Sequence, residues 1–340
     1  MADESGAQLG SSGNGRGLRD VWCSAVTSAP LPSPELARRV GVLDQDDPLP
    51  SFDELGRATK RHLAGLQPDG WFDGKRVLDF GCGPGKALRH FLPEAERCEI
   101  YGCDIHEPSI RWLQEKFSPP LRVFVCGETP PLPFPSEHLD LVWAMSVFTH
   151  LTEHWADWLL ELHRVLKPDG RLAATFLGEG MSESIAGEPW EPDRIGMNVL
   201  HAWQTWDQGG PSAQHSEWWL REHWGRAFDV ERIDDGPQLG HGWILLRKRP
   251  AALVREDLTA PGDDPRELAA LQHNVLQLQR EATLLAQDRD AVSRSREEAW
   301  AAARERDAAA SAGAETLRAV ASSRSWRLTR PLRSVAQRFR

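Results

Sequence analysis

Short hydrophobic runs and longer helix-like segments follow one another through the middle of the chain. Five apolar runs, each bounded by turn residues, lie between residues 75 and 177: KRVLDF, CEIYGCD, LRVFVC, LDLVWAM and RLAATFL. Helix-like segments separate several of them. Runs of this kind are typical of parallel strands that are buried on both faces. The pattern predicts an α/β fold with a doubly wound sheet.

Two segments have clear helical periodicity. SFDELGRATKRHLAGL predicts a helix that begins near Ser51, where a serine precedes acidic residues, and carries leucines near helical spacing. WADWLLELHRVLKPDG predicts a second helix that stops at Pro168 and Gly170. Its apolar stripe consists of Trp155, Trp158, Leu159, Leu162 and Leu166.

Two alternating segments, AFDVERID and GHGWILLRKR, are joined by the turn-rich DGPQLG and predict an antiparallel hairpin at the sheet edge. An insert of nearly fifty residues, 178–225, precedes the first of them and is too long for an ordinary connection. We expect it to form a substrate lid. Its tryptophans are Trp190, Trp203, Trp206, Trp218, Trp219 and Trp224.

The ends of the chain differ from this central domain, which we expect to span residues 31–250. Residues 1–30 are Gly/Ser-rich and are predicted to be disordered, and residues 251–264 are predicted to be a linker. Residues 265–312 are predicted to be helical, with a short coiled-coil pattern that supports a homo-oligomer. That pattern consists of Leu268, Leu271, Val275, Leu278, Ala282 and Leu285.

The last segment, 313–340, is rich in arginine and carries interleaved apolar residues such as Trp326 and Phe339. We expect residues 323–340 to contact an anionic membrane surface or an acidic partner. The simplest alternative to such a contact is that the segment is a solvated basic tail.

Composition narrows the class of protein. The net charge of -10 disfavours a general nucleic-acid binder, because phosphate contacts need a basic face. No apolar run approaches the roughly 18 residues of a membrane span, and the N-terminus does not resemble a signal peptide. The expected location is therefore cytoplasmic, with peripheral contact at the inner face of the membrane as an option. The five cysteines show no CxxC spacing, which argues against a disulfide framework or a zinc ribbon.

The stretch VLDFGCGPGKALRHF carries the most specific chemistry. Gly81, Gly83 and Gly85 read GxGxG, with Asp79 two residues ahead, whereas dinucleotide-binding turns commonly read GxGxxG. In a doubly wound sheet this first strand-to-helix turn is where a ligand approaches the backbone most closely. An acid there is a poor neighbour for pyrophosphate but a good partner for an ammonium group. The spacing therefore disfavours a nicotinamide oxidoreductase.

With this motif, residues 52–249 resemble the class I S-adenosylmethionine-dependent methyltransferases. The resemblance implies a Rossmann-like seven-stranded sheet and S-adenosylmethionine as cofactor. It places the glycine turn, with Asp79, Gly81, Cys82, Gly83 and Gly85, beside the methionine part of the cofactor. The resemblance further assigns ribose binding to Asp104 with Ile105, and binding of the adenine amine to Glu128, where many relatives have Asp. It places Met145 in the region beneath the transferable methyl.

Methyl transfer to a hydroxyl commonly needs a general base. His150 and His215 are the candidate catalytic residues, although His150 could instead pack or cap a helix, and His215 could cap the helix that follows it. An i,i+4 pair formed by His150 and His154 lacks a third ligand, so no metal site is assigned. For the acceptor we single out Trp190, Arg194 and Trp218, which could equally serve lid packing and a surface ion pair.

The segment SRSWRLTRPLR is similar to C-terminal segments of bacterial surface-polysaccharide enzymes. Together with the aromatic insert, it favours methylation of an oxygen in a glycan or lipid-linked polysaccharide precursor. A small metabolite or natural product is the second hypothesis for the acceptor. The third hypothesis is of another class, a non-catalytic scaffold that recruits polysaccharide enzymes.

Overall fold

The computed structural model describes residues 29–66, 71–187, 189–205, 209–235 and 240–323. The predictions made for residues 1–28 and 324–340 lie outside these ranges, as does Trp206. Among the described residues, no helix is both long and apolar enough to cross a membrane.

Nine strands are described, in two sheets. The strands are β1 (Arg76–Phe80), β2 (Glu99–Asp104), β3 (Arg122–Val125), β4 (Leu139–Ala144), β5 (Leu166–Phe176), β6 (Met197–Leu200), β7 (Ser212–His215), β8 (Phe228–Asp234) and β9 (Gly242–Lys248). The helices are α1 (Pro34–Arg38), α2 (Pro48–Gly65), α3 (Glu107–Phe117), α4 (Trp155–Val165), α5 (Glu179–Ala186), α6 (Glu217–His223), α7 (Arg255–Thr259) and α8 (Glu267–Ser322). Short 3₁₀ turns lie at Leu88–Phe91, Glu94–Glu96 and Trp224–Arg226.

The large sheet has seven strands in the order β3-β2-β1-β4-β5-β9-β8. The first five are parallel, with β1 pairing β2 on one side and β4 on the other. β9 pairs antiparallel with both β5 and β8, so the predicted antiparallel hairpin closes one edge. The predicted Rossmann-like mixed sheet is confirmed. Its chain order reverses at β1, which places the first strand-to-helix turn at the switch point where ligands bind.

Alternate residues of the central strands point to opposite faces, and both faces are covered. In β4, Val142 and Ala144 join a buried cluster with Trp158 of α4, while Leu141 and Trp143 join a second cluster with Phe91. Continuous apolar runs are therefore required in these strands, because no face is exposed to water.

Several predicted boundaries are shifted. α2 begins at Pro48 rather than Ser51, because proline is favoured in the first helical turn, where its missing N–H is not needed. α4 ends at Val165 rather than at Pro168. Leu166 pairs with Leu139, so β5 begins five residues before the predicted run RLAATFL.

The edges of the large sheet are irregular. β3 has only four residues, and Arg122 and Val125 on it are exposed. At the other edge, the pairing of β8 with β9 shifts register between Val230 and Arg232.

The insert 178–225 folds onto the domain with its own small sheet. β6 and β7 pair antiparallel, and the amide of Ala213 in β7 donates to the carbonyl of Thr149 at 2.7 Å. Of its tryptophans, Trp219 and Trp224 are buried while Trp203 is exposed. Packing is therefore the role of at least two of them, and the lid remains a prediction.

Two units make up the chain, Met1–Leu278 and Gln279–Arg340. The segment predicted as a linker, 251–264, contains α7, whose Leu258 is fully buried. α8 continues ten residues past the predicted boundary at 312, to Ser322. The predicted helix is thus present, and its coiled-coil pairing remains a prediction. Cys82, Cys98, Cys103 and Cys126 are free.

Candidate cofactor and acceptor site

The glycine turn after β1 has a backbone that other residues would not adopt readily. Gly81, Gly83 and Gly85 have φ values of +78°, +51° and +80°. A Cβ on Gly83 would lie 2.5 Å from Cγ1 of Val40, and one on Gly85 would lie 2.6 Å from Cδ2 of Leu113. Glycine is therefore required here by both the dihedral angles and the close neighbours.

Asp104 at the end of β2 is held beside this turn by two backbone amides. Its Oδ2 accepts from the amide of Gly83 at 2.8 Å, and its Oδ1 accepts from the amide of His106 at 2.8 Å. The parallel pairing of β1 and β2 brings the two strand ends together. The carboxylate is thus oriented before any ligand arrives, and its remaining lone pairs suit a diol.

Asp79 is buried at the end of β1, with 3% of its surface exposed. Burial raises the pKa of its carboxyl to about 7, with a smaller contribution from Asp104, while Trp143 and Lys86 oppose the rise. Burial also lowers the pKa of Lys86 to about 8. A buried carboxyl that ionises near neutrality is a ready partner for a cationic group.

The other residues predicted to contact the cofactor lie around the same strand ends. Cys82 is buried within the turn, and Ile105 is exposed just after β2. Glu128 is exposed after β3, and its backbone carbonyl accepts from the indole N–H of Trp158 at 3.0 Å. Met145 follows β4, and its sulfur accepts from the hydroxyl of Thr59 at 3.2 Å. Their ligand contacts remain predictions.

His150 lies after β4, and its Nδ1 is held by a hydrogen bond. Its Nδ1 is 2.8 Å from the carbonyl of Pro211, which can only accept, so Nδ1 carries the proton. In the neutral ring the lone pair is then on Nε2. Burial lowers the pKa of the imidazole, although the bond to Pro211 opposes this, and the ring is therefore neutral at pH 7. This is the protonation state and tautomer that a general base requires.

His215 has a different environment. It is fully buried in β7, where its ring lies 5.4 Å from that of Trp219 and 5.9 Å from that of Trp224. Burial lowers the pKa of its imidazole to about 3. The side chain that caps α6 is Ser216, not His215. These contacts favour a packing role over the predicted catalytic one, because an acceptor could reach the ring only if the insert opened.

The residues predicted to bind the acceptor do not form one cluster. Arg194 is exposed and forms an ion pair with Glu191 at 2.9 Å, which is the simpler of the two predicted alternatives. The indole N–H of Trp218 donates to the carbonyl of Ile195, and Arg266 lies over its ring. Trp190 is half-buried. Acceptor contacts are not evident from these positions and remain predictions.

The sequence did not reveal that an N-terminal arm, residues 29–47, is part of the site. The ammonium of Lys86 donates to the carbonyls of Val40 and Gly41 at 3.1 and 3.2 Å, and Arg89 donates to the carbonyl of Ala29. The arm therefore covers the glycine turn. The only signal for it was the lysine directly after the glycines, since backbone carbonyls leave no pattern in the sequence.

The residues present fit S-adenosylmethionine. Asp79 offers a buried carboxyl to an ammonium, Asp104 offers an oriented carboxylate to ribose hydroxyls, and the glycine turn lies between them. Within the described ranges, no group of three or more His, Cys, Asp or Glu side chains is placed to hold a metal ion.

Comparison with known families agrees with this geometry. Residues 78–174 match the family model described as "Methyltransferase domain". The match begins in β1 and ends in β5, so it contains the glycine turn, both acids and His150. This part of the chain therefore matches a methyltransferase domain, and the residues around its glycine turn fit S-adenosylmethionine.

Curated relatives are similar over about a third of this chain. Phthiotriol/phenolphthiotriol dimycocerosates methyltransferase 1 of Mycobacterium ulcerans is 33% identical over 123 residues, which are 36% of this chain and 44% of that protein. The fatty-acid O-methyltransferase of Mycolicibacterium smegmatis is 31% identical over 125 residues, with the same two shares. The chain thus spans less than half the length of these relatives.

Among solved structures, magnesium protoporphyrin IX methyltransferase of Synechocystis PCC 6803, solved with bound SAH, is 19% identical with a TM-score of 0.44. The similarity covers 68% of this chain and 100% of that one.

Proposed function

We propose that the chain transfers a methyl group from S-adenosylmethionine to an oxygen atom of a lipid or of a lipid-linked saccharide. The observation that carries the proposal is the glycine turn between Asp79 and Asp104, within the segment that matches a methyltransferase domain. The ends of β1 and β2 and the turn position these groups without contacts from the insert.

In the proposed reaction, the cofactor supplies a methyl group activated by a positive sulfonium. Asp79 would hold the cofactor's ammonium, and Asp104 would accept hydrogen bonds from its ribose hydroxyls. His150 would take the proton of an acceptor hydroxyl on Nε2 as the O–CH₃ bond forms and the S–CH₃ bond of the sulfonium breaks, which leaves S-adenosylhomocysteine as the neutral thioether. The carbonyl of Pro211 accepts a hydrogen bond from the other ring nitrogen. Much of the remaining rate enhancement comes from positioning, because the methyl carbon is already activated.

Two observations support the choice of acceptor. The curated relatives are named for dimycocerosates and for fatty acids, both of which are lipids. The aromatic insert folds beside the segment after β4, where Ala213 bonds to Thr149, the neighbour of His150. A glycan headgroup on a lipid anchor agrees with the sequence-based hypothesis, and a free small metabolite is the alternative acceptor.

The cofactor site is tested by calorimetric titration of S-adenosylmethionine into the wild type and into Asp104→Ala. Loss of the carboxylate removes the ribose contacts, so we expect affinity to fall by about 100-fold or more. Arg194→Ala is the matched control, because it deletes an exposed ion pair outside the strand ends. No binding to a well-folded wild type would refute the proposal and favour the scaffold hypothesis.

The acceptor is tested with a radiolabelled methyl donor and three panels: fatty acids and hydroxy-lipids, lipid-linked saccharides, and small hydroxylated metabolites. Label in one of the first two panels supports the proposal. Label only in the third panel would replace the proposed acceptor and leave the cofactor chemistry in place. The variant His150→Gln distinguishes a carboxylate acceptor from a hydroxyl acceptor. A free carboxylate needs no base, so the variant would leave its methylation rate nearly unchanged, whereas methylation of a hydroxyl requires His150.

A further inference from the structure

An exposed apolar stripe runs along α8. Leu268, Leu271 and Val275, near the start of the helix, are 65%, 47% and 52% exposed. They occupy the a and d positions of a seven-residue repeat, counted with Leu268 at a. Apolar side chains with this spacing form a seam that normally packs against another helix.

The same register returns at the far end of the helix. Val292 and Val320 fall on d and Leu317 falls on a, and all three are exposed. Besides Val292, the a and d positions between Val275 and Leu317 hold four alanines, three arginines, two leucines (Leu278 and Leu285) and Gly313. The stripe, defined here as the a and d positions from Leu268 to Val320, therefore keeps one register over a helix of 56 residues, about 84 Å.

The most buried residues of α8 do not lie on the stripe, although its Leu278 and Leu285 are half-buried. Glu267 and Ala270 are buried, and Asn274 accepts a hydrogen bond from the amide of Val199 at 2.8 Å. Glu267 lies 3.2 Å from the buried ring of His223. These residues follow helical spacing on a neighbouring face. The contacts of α8 with its own domain therefore leave Leu268, Leu271 and Val275 exposed.

The arginines within the stripe restrict how a second copy could pair with it. Arg289 and Arg296 fall on a, and Arg306 falls on d. In a parallel, in-register pair each of them would face its own equivalent, which places three like-charge layers in the seam. Like charges in a desolvated seam are strongly unfavourable.

An antiparallel pair centred near residue 294 removes this conflict. Arg289 then faces Ala299 of the second copy, Arg296 faces its Val292, and Arg306 faces its Ala282. Each long cationic side chain meets a small residue, past which it can extend to water. The same alignment brings Arg296 close to Asp288 of the second copy, and Arg306 close to its Glu281, which gives opposite charges at the seam's border.

The apolar layers agree with that alignment. Leu317 faces Leu271 of the second copy, and Leu268 faces its Val320. Nearer the centre, Leu278 faces Ala310 and Leu285 faces Ala303, so large residues meet small ones. Because large side chains face small ones, the two helices can pack closely. Large side chains that faced one another in every layer would hold the helices apart.

We propose that α8 is an interaction surface for a second copy of this chain and forms an antiparallel two-stranded coiled coil centred near residue 294. The inference concerns assembly and does not rest on the proposed methyl transfer. A partner protein with a complementary stripe and a lipid surface are the other occupants, and each is an outcome of the tests below.

The oligomeric state of the full chain gives the first test. We expect a dimer by sedimentation equilibrium at micromolar concentration. The double variant Leu271→Asp with Leu317→Asp places aspartates opposite one another in two layers, and should raise the dimer dissociation constant at least about 100-fold. Gln287→Asp with Ala308→Asp, which adds the same charge on the far face of the helix, should leave it unchanged. A monomeric wild type at tens of micromolar, or a dimer that the stripe variant leaves intact, overturns the proposal.

Disulfide trapping gives the second test, which reads direction. Leu271→Cys and Leu317→Cys are made as separate proteins, mixed, and oxidised, and the linked peptides are identified by mass spectrometry. Residue 271 linked to residue 317 in the mixture is the expected product. Homodimers linked 271 to 271, or 317 to 317, would show a parallel pair and refute the antiparallel arrangement.

Charge reversal gives a third, independent test. Arg306→Glu should weaken the dimer about 10-fold, because residue 306 lies close to Glu281 of the second copy, and adding Glu281→Arg should restore the affinity. In a parallel pair these positions are far apart along the helix, so no rescue would occur. Wild-type binding to anionic vesicles that the stripe variant abolishes, without any dimer in solution, would assign the stripe to a lipid surface instead.

Discussion

The affinity for S-adenosylmethionine should depend on pH through Asp79. Burial raises the pKa of this carboxyl to about 7, from an ordinary value of 3.8. The ammonium of the cofactor favours the ionised carboxylate, so a protonated Asp79 must lose its proton when the cofactor binds. Affinity should therefore rise with pH up to about 7 and change little just above it.

The size of the effect follows from the pKa. At pH 6 the free protein holds this proton about ten times as often as it lacks it, and at pH 8 only about a tenth as often. The dissociation constant should thus be about 10-fold larger at pH 6 than at pH 7.5, or about 1.4 kcal/mol. The comparison stops at pH 7.5 because the α-amino group of the cofactor itself loses its proton near pH 8.

Calorimetry in two buffers with different ionisation enthalpies measures the proton directly. We expect release of close to one proton per cofactor at pH 6, and much less at pH 7.5. Asp79→Asn should bind weakly at both values and release no proton in that range. Wild-type affinity that is flat between pH 5.5 and 7.5, with no proton release, would refute the assignment of Asp79 to the ammonium.

The same group affects stability without ligand. Its pKa in the folded chain lies above its pKa in the unfolded chain, so folding is favoured at low pH and this contribution is lost as pH rises towards 7. Asp79→Asn should therefore remove a pH-dependent loss of stability between about pH 4 and pH 7, on the order of 4 kcal/mol at most. Urea unfolding at pH 5 and at pH 7.5 measures the difference.

Three substitutions test other parts of the structure. Gly83→Ala introduces a side chain at φ +51° against a close neighbour and should weaken cofactor binding about 10-fold or more by calorimetry, whereas Gly65→Ala, where nothing lies within 4 Å, should not weaken it. With a hydroxyl acceptor, His150→Gln should lower kcat about 100-fold. It should also abolish the fall in activity that protonation of this imidazole causes below pH 6.5, and an unchanged pH profile would rule out His150 as the general base. Glu267→Gln leaves buried His223 without its carboxylate and should cost about 2 kcal/mol in thermal unfolding; an unchanged melting temperature would show that the pair contributes nothing.

Much of the central sheet could be predicted because its signals are local. Each buried strand contains a short apolar run, and four of the five runs end at a glycine or an acid. The edge hairpin was predicted for the same reason. The start of β5 at Leu166 was not predicted, because its pairing with Leu139 depends on a residue distant in sequence. The start of α2 at Pro48 was missed although a first-turn proline is a local signal.

The site was predictable to the extent that its residues follow strands. The spacing of the turn marked Asp79 and the glycines, and the family resemblance marked Asp104. The parallel pairing of β1 and β2 brings them together. His215 could not be judged in this way, because its burial against Trp219 and Trp224 arises from how the insert folds. The position of the arm over the turn could not be predicted, because Lys86 holds it through main-chain carbonyls.

The irregular edges of the large sheet have a consequence for solubility. An exposed, flat edge strand offers unpaired N–H and C=O groups to any other chain and promotes aggregation. Here one edge, β3, is four residues long, and the other, β8, is interrupted at Val230 and Arg232 and bears charged Glu231. Neither edge is a good template for a further strand, so the sheet resists fibril-like stacking even at high concentration.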